Sequence, residues 1–241
     1  ILSHPDYVRH VLSLRAANYP REDFISRRFQ AVFGDGSVSA VGDTWARQRR
    51  IINPAFRRPF LERSFKVLEK RSRALVEAWK IKAKKGEPVE VISEMRHLTM
   101  DMLWEVLFNY SPKKLRWEIY KPVELGVSYI GTPIPLFISK WLPTATNWQF
   151  YFKNRKLEDI LKNMIAGRRK DLGKTDDLLD LLLRYKDPES GHPLSEQAIL
   201  EELKTLAPAG YLTTGASLAW LFYRLGRHPE HMHKLNEECK A

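Results

Sequence analysis

The chain has 241 residues, 44% of them hydrophobic and 29% charged, with a formal net charge of +11. That is ordinary globular composition with length enough for a real core, which excludes a disordered, collagen-like or low-complexity chain. The single cysteine, Cys239, excludes an internal disulfide framework and fits a reducing compartment.

The opening ILSHPDYVRHVL carries no secretory signal pattern. It reads as a strand end running into a short helix over 5–13, with Pro5 in the first turn, as if the chain starts mid-fold. Three glycines mark FGDGSVSAVGDTW (33–45) as loop. A helix from Thr44 to Ile52 stops before Pro54, and another spans 59–85 with Phe60, Phe65, Leu68, Leu75 and Trp79 as its buried face. A helix over 90–109 is built on Val91, Met95, Leu98, Met102 and Leu107. Residues 129–152 are too irregular for one helix and too apolar for a solvated loop. They suit a lid, a substrate-access segment or a surface that touches membrane. A basic amphipathic helix follows at 153–172, then a short one that ends at Pro188. Ser195 is a good N-cap for a long helix that runs to Gly226, and Pro229 starts a last helix. No clean alternating strands appear beyond the first residues, so the fold class is mainly α.

The long helix poses a problem at its midpoint, TLAPAGYLTTGASLAW (205–220). A proline inside a helix costs about 3 kcal/mol, and a glycine adds about 1 kcal/mol relative to alanine. Either Pro208 and Gly210 mark a kinked core helix, or something must approach the backbone there. The uncharged run from Thr205 to Tyr223 is near membrane-spanning length. Its Pro, Gly, Thr and Ser content and its charged upstream continuation favour a helix buried on all sides in a large core.

Residues 41–85 hold 14 Lys and Arg against 4 Asp and Glu. Such a face attracts an acidic partner, and nothing in the chain matches a nucleic-acid-binding module. Trp45 and Arg49 lie four apart in TWARQRRIINPAF, on one face of a helix, where the arginine suits an anion such as a carboxylate. Arg47 and Arg50 point elsewhere and can meet a partner protein. His228, His231 and His233 lie close in sequence, but a helix starting at Pro229 does not bring them onto one face, and no acid or cysteine completes an evident metal set. Cys239 reads as a bystander.

Together these pieces resemble the cytochrome P450 haem-thiolate monooxygenases. GDGSVSAVGDTWARQRRIINPAF resembles the family's loop and C helix with its Trp-x-x-x-Arg. AGYLTTGASLAWLFYRLGRHPEHMHKL resembles its central I helix and J helix. The family's pattern of Ala or Gly, then Gly-x-acid-Thr-Thr, reads here Ala209, Gly210, Tyr211, Leu212, Thr213 and Thr214, with leucine in place of the acid. The resemblance implies a cytochrome P450-like fold and haem b as cofactor. It implies Trp45 and Arg49 on a haem propionate, and Ala209 and Gly210 as small residues that let the helix approach the porphyrin. Thr213 would be the hydroxyl beside bound oxygen, with Thr214 next to it. Ser37 and Val38 would stand at the haem edge and substrate, and Leu206 and Ala209 against the substrate. It further implies insertion of one oxygen atom from O₂ into a small apolar substrate. Electrons would come from an acidic redox partner (a ferredoxin, flavodoxin or reductase) docked on the basic C-helix face.

The family's Glu-x-x-Arg pair and the haem-ligating cysteine in its Phe-x-x-Gly context do not occur in these residues, and Cys239 does not match. The resemblance therefore implies that 1–241 is a partial domain, a middle section of a longer fold that lacks the first strand and helix and the thiolate-bearing half. A cytoplasmic location is expected, with a membrane anchor in a preceding segment left open. Leu212 leaves room for haem-thiolate chemistry other than monooxygenation. A non-catalytic helical remnant or binding module is the reading from a different class.

Overall fold

A computed structural model describes residues 2–19, 23–131, 144–188 and 190–240. Pro5 opens α1 (Pro5–Arg9), and the His4 ring accepts the Asp6 N–H at 3.3 Å as its cap. A π-helical turn, His10–Leu14, extends it. α2 (Asp23–Phe33) and α3 (Gly42–Ile52) flank a loop at 34–41, and α3 starts two residues earlier than the sequence predicts. A 3-10 turn over Asn53–Phe56 leads into α4 (Arg58–Lys84). α5 (Val91–Phe108) begins where the Glu90 carboxylate accepts the Ile92 and Ser93 N–H groups, and it ends at Asn109 in the left-handed conformation, φ 46°. α6 (Arg116–Gly131), α7 (Ala145–Lys170) and α8 (Leu178–Arg184) follow. The long helix is α9 (Glu196–Arg227), with the Ser195 hydroxyl accepting the Ala198 N–H at 3.1 Å, and α10 (Pro229–Glu238) closes the chain. No strand occurs among the described residues, only an isolated bridge between Lys186 and Pro193, so the mainly α class stands and Leu2 and Ser3 form no strand.

α9 packs along α5, and the two carry the centre of the core. Trp104, Phe108, Leu203 and Tyr211 are fully buried there, joined by Leu161 and Ile165 of α7 and Leu178 and Leu179 of α8. Polar residues fasten this apolar centre at its edge. Arg168 of α7 donates to Asp177 Oδ2 at 2.6 Å, to Asp180 Oδ1 at 3.1 Å and to Phe108 O at 2.7 Å. Arg116 reaches Asp101 with a two-pronged contact at 3.1 and 2.5 Å, and Arg71 pairs with Glu105 beside it.

Three expectations are corrected. The stripe on α4 is not a buried face: Phe60 alone is buried, Phe65 is 65% exposed, Leu68 is exposed, and Leu75 and Trp79 are half-buried. Its partner among the described residues is chiefly α5, which covers one side only. The 129–152 stretch is helical at both ends, since α6 runs to Gly131 and α7 begins at Ala145. Thr144 accepts the Asn147 N–H at 3.2 Å, so its hydroxyl starts a helix that the aromatic composition obscures. Residues 132–143 lie outside the described ones. Finally, α9 is not covered on all sides. It is buried from Ile199 through Pro208 on its core face, but Trp220 is 66% exposed, and Leu221, Phe222 and Tyr223 are also exposed. No helix among the described residues is long and apolar enough to cross a membrane.

Candidate functional site

α2, the loop at 34–41, α3 with the turn after it, and the middle of α9 surround an open cavity of about 530 Å³. Ser37, Val38, Trp45, Arg49 and Leu206 line it, together with Ser26, Phe29, Ile52 and Phe56. Five residues singled out from the sequence therefore meet in one place, although they come from segments far apart in the chain. α3 does this by presenting Trp45, Arg49 and Ile52 at helical spacing along one face, and the 3-10 turn after it adds Phe56. The size is that of a small-molecule or cofactor site.

Trp45 is 40% exposed and Arg49 is exposed. Neither side chain makes an ion pair or hydrogen bond within the described residues. An indole N–H and a guanidinium, one helical turn apart and both without acceptors, form a donor set for a carboxylate at the cavity rim.

On α9, Leu206 stands in the cavity wall, and Ala209 and Thr213 continue its strip of the helix. Ala209, Thr213 and Thr214 are exposed and lie outside the cavity's lining. The Thr213 hydroxyl donates to Ala209 O at 2.8 Å, and Ser217 donates to Thr213 O at 3.0 Å. The helix is continuous across buried Pro208. The close approach that Gly210 permits is to α5, where a Cβ would lie 2.7 Å from Leu103 Cδ1. Gly215 admits Arg96 and Thr99 in the same way, and the Thr99 hydroxyl donates to Tyr211 O at 3.0 Å. The small residues at the helix midpoint thus serve helix–helix packing on one side and leave a low, open strip on the other. Leu212 packs against the core cluster.

Sequence reasoning missed Glu202. It is 3% exposed, and its Oε2 accepts the Ser37 N–H at 2.9 Å across the base of the loop. Burial pushes its carboxyl up from the ordinary value, partly offset by Ser37 and by the Arg49 charge. The signal was present in the sequence. Glu202 falls three residues after Ile199 and four before Leu206, an acid on the apolar stripe of α9.

A family model described as Cytochrome P450 matches residues 1–241. The chain belongs to the cytochrome P450 family. Human cytochrome P450 4F2 is 29% identical over 99% of the chain and 50% of its own length. The human ultra-long-chain fatty acid omega-hydroxylase is 26% identical over the whole chain and 49% of its own length. The cyclooctat-9-en-7-ol 5-monooxygenase of Streptomyces melanosporofaciens is 31% identical over 94% of the chain and 49% of its own length. The crystal structure of the cytochrome P450DA heme domain superposes with a TM-score of 0.77 at 23% identity, covering 96% of the chain and 50% of that protein. The chain spans about half the length of the curated relatives it matches. The cofactor of P450 proteins is haem b, and the unpaired Trp45 and Arg49 donors at the rim of an apolar cavity fit its propionate edge.

One further expectation is corrected. His228, Glu230 and His231 place one ligand atom each within 4.8 Å of one another, so an acid does join the histidines. His228 is the N-cap residue of α10, directly before Pro229. Glu230 Oε1 lies 3.1 Å from His228 Nδ1, and its carboxyl is held low first by its own backbone N–H and then by His228. The group is a hydrogen-bonded histidine–glutamate contact at the exposed start of α10.

Proposed function

We propose that these residues form the distal wall and a propionate anchor of a haem-thiolate monooxygenase whose remaining half supplies the thiolate. The observation that carries the reading is the cavity in which Trp45 and Arg49 meet Ser37, Val38 and Leu206. Haem bound to a thiolate supplies the activation of O₂ for insertion of one oxygen atom. The chain's own residues do the rest. Trp45 and Arg49 would hold a propionate. Val38, Leu206 and Ala209 face the substrate and exclude water from it. The Thr213 hydroxyl, now donating to Ala209 O, turns to hold a proton at the oxygen-binding face, and Thr214 supports that strip.

The substrate class is a small apolar molecule. Val38 and Leu206 offer it no charge; of the relatives, one is named for the small cyclooctat-9-en-7-ol and one for an ultra-long-chain fatty acid, both largely hydrocarbon. The test is incubation of the full-length protein with a reductase, labelled O₂ and dodecanoic acid. One labelled oxygen per product supports monooxygenation, and unlabelled or absent product contradicts it. Thr213→Ala is expected to lower product per electron severalfold, with peroxide rising in proportion; unchanged coupling would remove Thr213 from its role.

Arg47, Arg50 and Arg57 are exposed and make no ion pair among the described residues. They stand on α3 and the turn after it, on the family's docking side, and would receive an acidic redox partner. Charge reversal at any of the three should slow reduction severalfold at low salt and flatten its salt dependence, since steered association is screened by ions. Stopped-flow reduction rates that stay unchanged at low salt would remove this docking face.

A further inference from the structure

We infer that Glu202 is a positioning residue that clamps the loop carrying Ser37 and Val38 onto α9 and thereby sets which ligands the cavity accepts; the inference deepens the function proposed above and rests on it. Three contacts converge on this loop. The Ser37 N–H donates to Glu202 Oε2 at 2.9 Å in a buried setting. Gln48 of α3 donates from Nε2 to Asp35 O. Gly36 lies so close to α9 that a Cβ there would collide with Thr205 Oγ1 and sit 2.7 Å from Glu201 O. Gly34 provides the left-handed bend, φ 78°, that lets the loop descend onto the helix. The loop is therefore tied to α3 and α9 at successive residues, and the next one, Val38, faces the cavity.

An acid is an expensive way to hold one amide. Glu202 Oε1 is buried without a hydrogen-bond partner, and so is Gln48 Oε1. Both residues line a second, much smaller cavity of about 10 Å³, at the lower limit of what admits a single water. A leucine would pack this position of α9 without that burden, as Ile199, Leu203 and Leu206 do on either side. What leucine cannot do is accept the Ser37 N–H. The amide has no other acceptor among the described residues, so without Glu202 it would be buried unpaired, and the loop would lift or shift to find water. Such a shift moves Val38, because the two residues are adjacent. Glu202 does not line the larger cavity and acts only through the loop.

The test uses the haem-loaded full-length protein as wild type, Glu202→Ala and Glu202→Gln. Glutamine keeps an acceptor for Ser37 and removes the charge, so it should rescue what alanine loses. Hydrogen exchange of the Ser37 amide should accelerate about tenfold or more in Glu202→Ala, the loss of about one buried hydrogen bond, and stay within about twofold of wild type in Glu202→Gln. Soret titrations with imidazole and 4-phenylimidazole read the cavity wall. Their affinity ratio should change at least about threefold in Glu202→Ala, while imidazole alone binds as in wild type. If Glu202→Ala does not fold, Ser37→Pro removes the same N–H from the other side, and its imidazole to 4-phenylimidazole affinity ratio, with the same change of at least about threefold expected, is read instead. Unchanged Ser37 exchange, an unchanged ratio, or a glutamine variant that behaves like alanine overturns the inference. Failure of imidazole to shift the Soret band of wild type would overturn the haem reading instead, with the exchange result still deciding the clamp.

Discussion

Arg168→Met is expected to destabilise the protein by about 3–5 kcal/mol, the loss typical when one partner of a buried charge cluster is removed. The Arg168 side chain is 12% exposed, and its partners Asp177 and Asp180 are 7% and 0% exposed. Burial works against the guanidinium's charge, and the two aspartates more than restore it, so its affinity for the proton rises above the ordinary arginine value. Methionine keeps much of the volume but leaves two carboxylates in apolar surroundings. It also leaves Phe108 O, at the end of α5, without the donor that now sits 2.7 Å away. The aspartates have partial substitutes: Asp180 Oδ2 accepts the Gly173 N–H and Asp177 Oδ1 accepts the Asp180 N–H, each at 3.0 Å. Those bonds hold the α7–α8 turn but do not neutralise the pair. Asp180→Asn, which keeps the geometry and leaves Arg168 facing Asp177, should lose less than half as much. Denaturant unfolding decides this, and a change below about 1 kcal/mol for Arg168→Met would mean that solvent reaches the cluster.

Arg49→Ala should speed haem release from the full-length protein by one to two orders of magnitude. The estimate follows from a charge-assisted hydrogen bond to a carboxylate of about 1.5–3 kcal/mol. Trp45→Phe removes one neutral donor and should speed release only about fivefold. Arg49→Lys keeps the charge but not the fork, so it should fall between wild type and Arg49→Ala. Transfer of haem to an excess of apomyoglobin measures these rates. Arg49→Ala within about twofold of wild type would place the propionate elsewhere. Because Arg49 also faces Glu202 electrostatically, Arg49→Ala and Glu202→Gln should be combined. Non-additive release rates would show that the anchor and the loop clamp are coupled.

Helices with strong punctuation were legible in the sequence. Ser195 and Pro229 mark the starts of α9 and α10, and Trp45 with Arg49, four apart in the sequence, both line the cavity. Less legible was which side of each helix faces protein. On α4 the apolar stripe is long and regular, yet Phe65 and Leu68 remain exposed, because periodicity reports a face without naming its partner. The start of α7 looks irregular in the sequence because Trp148, Tyr151 and Phe152 are exposed aromatics rather than polar helix surface. Gly210 illustrates a subtler limit. Its smallness was evident, but only packing reveals that Leu103 of α5 fills the space beside it. For Glu202 the register on the apolar stripe of α9 signals burial, but only the folded structure shows that the carboxylate meets Ser37.

The most direct test of the central claim, that this chain provides the distal half of a haem-thiolate site, is the reduced carbon monoxide difference spectrum of the full-length protein. A thiolate-type Soret band, weakened in proportion to haem lost in Arg49→Ala, is the predicted result. A band of the histidine-ligated type, or a protein that purifies without haem and takes up none, would contradict it.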